Sequence, residues 1–348
     1  MDNDQNSIAM NFYINGLGMR QLCIMLLLCL CAGSGCRRNH TGEAAGKVAI
    51  ERFDVDIVGF QGLDSVSKEN FKAKYGPVID FLLPVLSVSD TNNINIDSLI
   101  AVYANSRGVA VFEPDVMRLL PNLDSLERSI GMAKAVSRNI FPDIVWPNRL
   151  IGIVSTYNQS MIFNDSVLLV GLNHYLGREY AGYGYFEPYQ RRFKDSGQLP
   201  VRLMESVIVK NYPYRNSSEP TALSKMLYDG AVLWGIKQAL SLPDDTLLMG
   251  WTAEQKMWVD NNLEKVWHKM VENKLLFSTN PSVADRLTQV APSASLVHPE
   301  APGRIGSYLG LLIVSRFLDN NPKTEPRQML DSAMYNSLST LVKSGFAP

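Results

Sequence analysis

The chain has 348 residues, of which 33 are Lys or Arg and 34 are Asp or Glu, for a formal net charge of -1. A balance so near neutral gives no chain-wide attraction to nucleic acid or to an anionic surface. All four cysteines fall between Cys23 and Cys36, which excludes an intramolecular disulfide or a catalytic thiol from everything that follows.

Leu22 to Ala32 is almost purely apolar, with Arg20 before it and Gly33, Ser34 and Gly35 after it. That is the order of a secretory signal peptide, and the run is too short for a membrane span, which needs ~20 apolar residues. Cys36 is the expected lipid-attachment residue, with a cleaved signal over residues 1–35 and a polar tether over 36–46. Gly33 stands where such signals usually carry Leu. An uncleaved anchor and an unlipidated secreted chain are the alternatives. Residues 1–18 are polar and acidic, unlike a signal's first segment, so Met19 is the expected true start. Removing residues 1–35 takes away Arg20, Asp2 and Asp4 and leaves 32 basic and 32 acidic side chains. The remaining 47–348 suffice for one large domain, or for two closely packed parts, 47–148 and 149–348.

KVAIERFDVDIVGF reads as a strand or amphipathic opening segment, with Val48, Ile50, Phe53, Ile57 and Phe60 apolar. Residues 66–135 follow with helical spacings, and Pro114, Pro121 and Asn122 read as helix boundaries. Arg149 to Leu172 holds β-branched runs broken by polar residues, which predicts a small antiparallel meander. From Leu199 onward the pattern is helical. PTALSKMLYDGAVLWGIKQAL has Pro220 near its start and Pro243 beyond its end. In the next helix Thr252 and Gln255 form a capping box, and Val259, Leu263, Val266, Trp267, Met270 and Val271 form its apolar stripe. In APGRIGSYLGLLIVSRFL, Gly303, Gly306 and Gly310 share one side, which predicts a tight helix crossing. The fold class is therefore α+β: mostly helical, with a small antiparallel sheet packed on helices.

A sheet, then a helix, then a second helix with an acidic residue is the order of zincin metallopeptidases, whose first helix carries HExxH. Here Glu205 falls in Met204-Glu205-Ser206-Val207-Ile208, with apolar residues at both histidine positions, and Asp229 is the acidic residue one helix later. Two of three zinc ligands are thus gone, leaving a degenerate zincin-like arrangement with Glu205 and Asp229 as vestigial candidates. No metal and no other cofactor is expected. His40, His174, His268 and His298 are scattered and read as surface or hydrogen-bonded side chains. Asp54 with Asp56, and Asp244 with Asp245, read as solvated loop carboxylates, and QRRFK (190–194) as a solvated basic face. Tyr180, Tyr183, Tyr185, Phe186 and Tyr189 make an aromatic loop that is either packed on the domain or open to stack on sugars.

DSVLLVGLNHYLG (165–177), LYDGAVLWGIKQAL (227–240), the Trp-rich helix from Gly250 to Thr279 and PGRIG with its glycine-spaced helix resemble segments of the gliding-motility lipoprotein GldB family of Bacteroidota. The resemblance runs from about Lys47 to the C-terminus. It implies a lipoprotein of the cell envelope tied to gliding motility and to type IX secretion, distantly similar to predicted zinc proteases, with no catalytic residues to carry over. In that phylum Asp-Ser/Thr before a small apolar residue is an O-glycosylation pattern. It occurs at Ser65, Ser98, Ser125, Ser166, Thr246 and Ser332, where ordinary composition would give about one triplet. Helix capping by the same residues is the competing explanation. CRRNH lacks both the acidic run for export to the surface and an Asp after Cys, so the periplasmic face of the outer membrane is expected.

These readings converge on a non-catalytic envelope lipoprotein, held to the membrane by lipid on Cys36 and working through contacts with motility or secretion proteins. The alternatives are a metallohydrolase-like enzyme with an atypical site and a glycan- or peptide-binding surface lipoprotein.

Overall fold

The structure is a computed structural model that describes residues 46–85, 95–155, 159–215 and 217–348. The signal segment, Met19, Cys36 and His40 lie outside the described residues. The architecture is α+β, with a four-stranded sheet ordered β1-β2-β4-β3 and helices before and after it.

Strand β1 (Ile50–Arg52) pairs in parallel with β2 (Arg149–Ile153), Ile50 opposite Leu150. β2 pairs in parallel with β4 (Val167–Gly171), Leu150 opposite Leu168. Only β3 (Met161–Asn164) is antiparallel, closing a hairpin with β4 through a turn in which Asp165 has φ 50. The predicted antiparallel meander is therefore corrected to a mixed sheet. The reason lies in the burial of VLLVG, every residue of which is covered. An unbroken apolar strand must be covered on both faces, as in the interior of a parallel sheet, and an alternating edge strand need not be. β4 takes the interior place and the half-buried β3 is left on the edge.

Helix α1 (Ser65–Val85) kinks at Tyr75, just before Gly76 and Pro77. Phe53 sits at the centre of an aromatic cluster with Phe71, Tyr75 and Tyr103, ring centres 5.0–5.9 Å from its own. α2 (Ile96–Ala104), α3 (Arg107–Leu119) and α4 (Asp124–Ile140) follow. Pro114 proves to lie inside α3 rather than at a boundary. Its position is exposed, so water can satisfy the carbonyl that its missing N–H abandons. Pro121 and Asn122 do separate α3 from α4.

α5 (Gln198–Asn211), α6 (Ala222–Leu240), α7 (Ala253–Glu272), α8 (Pro281–Thr288), α9 (Ile305–Asn320) and α10 (Leu338–Ser344) form the helical bulk. α6 is the hub, packed by α4, α5, α8 and α9, and so it is apolar on nearly every side. It crosses α9 where two glycines meet: a Cβ on Gly230 would lie 2.1 Å from the Gly310 carbonyl carbon, and one on Gly310 only 1.8 Å from the Met226 oxygen. The predicted tight crossing is thus present, with Gly230 as the partner. Gly306 instead faces Leu287 of α8 and Gly303 faces Ala291. The Thr252/Gln255 capping box of α7 is formed. Val259, Val266 and Met270 are buried, whereas Val271 is 49% exposed and falls off the stripe, being 100° round the helix from Met270.

Candidate functional site

A cavity of about 410 Å³ lies between α5 and α6, and is lined also by Thr288 at the end of α8 and the two residues following it. α5 contributes Arg202, Glu205 and Val209, which recur at helical spacing on one face. α6 contributes Lys225, Tyr228, Asp229 and Val232 by the same rule, and Arg304, immediately before α9, enters from the opposite side. Glu205 and Asp229, the two carboxylates singled out in the sequence, therefore line the same cavity.

Neither carboxylate is free. Arg202 pairs with Glu205 three residues along α5, and Lys225 with Asp229 four residues along α6. Ser307 Oγ donates to Asp229 Oδ2 at 3.0 Å. Burial pushes the Glu205 carboxyl up, but Arg202, Arg304 and Lys225 overcome it and hold the group below the ordinary glutamate range. For Asp229 burial prevails over Lys225, Ser307 and Arg304, and its carboxyl is raised. Met204 and Ile208, at the positions where histidines would bind zinc, are 1% and 0% exposed. They belong to the core, with Ile208 packed where α6 carries Gly235. Among the described residues no three His, Cys, Asp or Glu side chains are grouped to hold a metal ion.

Arg304 is a residue that sequence reasoning missed, because PGRIG draws attention to its glycines and not to the arginine between them. It is 7% exposed and adopts φ 67, in the left-handed region that an arginine rarely occupies. Its N–H donates to the Gln289 carbonyl at 3.1 Å, and Nη1 donates to the carbonyls of Leu248 (3.0 Å) and Met249 (3.4 Å). Trp251 Nε1 fastens the preceding turn through the Gly303 carbonyl at 2.9 Å. Arg202 and Lys225 were also missed, although their spacings from Glu205 and Asp229 are those of helix ion pairs and could have signalled them.

The QRRFK segment is half-buried rather than a solvated face. The Phe193 ring lies beneath the guanidinium carbons of Arg202 (4.5 Å) and Arg304 (5.8 Å), so it carries apolar support to the cavity cations. Lys194 Nζ meets His174 Nδ1 at 2.9 Å and the Phe186 ring at 4.5 Å, which explains why His174 is buried. His268 is exposed beside Glu264, and His298 Nδ1 accepts the Glu300 N–H. The aromatic loop is packed: Tyr183 is buried with its hydroxyl on the Asn173 carbonyl, Tyr180 donates to Asp115, and Tyr185 is exposed. Asp54 is buried and held by both Arg52 Nε and Nη2, a correction to the solvated reading, and Asp245 is buried beside Lys237. Ser65, Ser98, Ser125 and Ser332 are exposed in first helical turns, Thr246 opens the short helix Thr246–Met249, and Ser166 is exposed in the β3-β4 turn.

Fold and site together define a helical α+β protein with a charged cavity between its helices. The family model for gliding motility protein GldB matches residues 37–348, and the chain belongs to that family. No curated protein and no solved structure matches the chain. Among the described residues no helix is long and apolar enough to cross a membrane.

Proposed function

We propose that this chain is a lipid-anchored envelope protein of the gliding machinery, attached through Cys36, that acts by binding rather than by catalysis. The observation that carries the reading is the state of Glu205. A general base needs a free lone pair and a pKa near the working pH, whereas Glu205 is paired with Arg202 and its pKa is shifted away from neutrality. Asp229 is occupied by Lys225 and Ser307. A zincin-like ancestor stripped of its metal ligands accounts for two helix carboxylates that face one cavity yet serve only ion pairs. The partners are proteins of the motility or type IX secretion machinery, met at the periplasmic face of the outer membrane.

Crosslinking in the host's own envelope, followed by affinity purification of the tagged chain and mass spectrometry, tests the partner. Stoichiometric motility or secretion subunits are expected. Complementation of a deletion strain tests the chemistry: a chain carrying Glu205→Gln should restore spreading, and a folded but inactive Glu205→Gln chain would overturn the non-catalytic reading. Cys36→Ser should release the protein from the membrane fraction.

A further inference from the structure

Three features meet at Arg304. It is almost completely buried, its backbone is in a conformation that favours glycine, and no carboxylate stands within ion-pair distance of it among the described residues. Glu205 and Asp229 are taken by Arg202 and Lys225. Among the described residues only Nη1 of its guanidinium has acceptors, the two carbonyls of Leu248 and Met249. A buried cation that feels Glu205 and Asp229 only beyond ion-pair distance, and shares them with Arg202 and Lys225, is held at a cost. Strain held at a cavity wall is where function is to be looked for.

The charges around the cavity agree. Arg202, Lys225 and Arg304 face Glu205 and Asp229, which leaves one positive charge uncompensated. Apart from Thr288 and Gln289, the remaining wall is apolar and aromatic, with Val209, Val232, Leu233 and Val290 beside the rings of Tyr214 and Tyr228. A volume of about 410 Å³ falls in the range of small-molecule sites.

We infer that this cavity binds a monoanionic carboxylate, its two oxygens taken by the open Nε and Nη2 donors of Arg304 with Lys225 at the rim, and its apolar body laid against the valine and tyrosine wall. The planar fork of a guanidinium matches a carboxylate in two parallel hydrogen bonds. The carboxylate comes either from a small organic acid or from the C-terminus of a peptide. This deepens the binding reading above and rests on it.

Isothermal titration calorimetry of the mature chain decides between the sources, with acetate, N-acetyl-trialanine, its C-terminal amide and inorganic phosphate as probes. Binding of N-acetyl-trialanine, with the amide at least about tenfold weaker, supports a peptide terminus, and equal binding of acetate supports a free acid. Phosphate binding as tightly as either, or no binding by any probe, would overturn the inference.

Arg304→Met should abolish binding. Because that change can also disturb the turn before α9, two further variants carry the charge argument: Lys225→Met should weaken binding and Asp229→Asn should tighten it, each by about tenfold. Shifts of the same sign in both would refute it. The calorimetry reads the cavity alone, whereas spreading of the host reads the motility role, so either can fail without the other.

Discussion

Replacing Gly310 by Ala puts a single methyl group where the backbone of α6 already stands. The new Cβ would lie 1.8 Å from the Met226 carbonyl oxygen, 2.6 Å from its carbon and 3.4 Å from the Gly230 Cα. These are main-chain atoms, so no side chain can swing aside, and α6 and α9 must separate by roughly 1.5 Å to restore an ordinary contact. Helix propensity alone favours Ala by about 0.5–1 kcal/mol. Overpacking typically costs about 1–3 kcal/mol, and a clash between two backbones belongs at or above the top of that range. The expected net loss is about 2 kcal/mol or more, a fall in Tm of about 4 °C or more for a chain of this size. Chemical denaturation and thermal melts of the soluble chain read both quantities. Gly59→Ala serves as the control: its φ of -85 and ψ of -5 suit any residue, and nothing lies within 4 Å of its added Cβ. That variant should gain about 0.4–1 kcal/mol through the unfolded state. If Gly310→Ala proves as stable as the parent, the close crossing of α6 and α9 is not as described.

Glu205→Gln should cost about 1–2 kcal/mol at pH 7, less than a fully buried pair because the Glu205 side chain is 30% exposed on the cavity wall. The folded pKa lies below the ordinary 4.5, so this difference should be complete above pH 4.5 and shrink as pH falls through the folded value, as urea melts against pH would read. A difference that grew on acidification would mean that Glu205 is not held ionised. Burial lowers Lys194 to about 8, so one reductively methylated lysine should titrate near that pH in NMR spectra and vanish in Lys194→Met. The cost of charging it is full below pH 8 and relieved as pH rises toward 10.5, so stability should rise through that window in the parent and not in the variant. Thr252→Ala removes the acceptor for the Gln255 N–H and should cost about 1 kcal/mol, measured by denaturation. An unchanged midpoint would show that α7 does not depend on its capping box.

The local order of the chain was legible from its residues. The capping box of α7 declares itself in Thr252 and Gln255 because an N-cap is satisfied within four residues. The glycine stripe of α9 foretold a close approach because a missing Cβ has one main use in a helix interior. Family membership rested on segments spread along the whole chain and was readable for the same reason. The partner of the crossing was not, since Gly230 lies 80 residues away and only packing pairs it with Gly310. Nor was the parallel pairing of β2 with β4, because local sequence distinguishes a strand from a helix but not the side of β4 on which the chain lays β3. The site divides in the same way. Glu205 and Asp229 were nominated from the sequence, and their pairing with Arg202 and Lys225 was open to the same spacing argument, while the meeting of the two pairs in one cavity depended on which helix faces pack together. Arg304 was decided by tertiary structure alone: a charged residue between two glycines reads as surface until α5, α6 and the turn before α9 close around it, because burial is a property of neighbours and not of the residue itself.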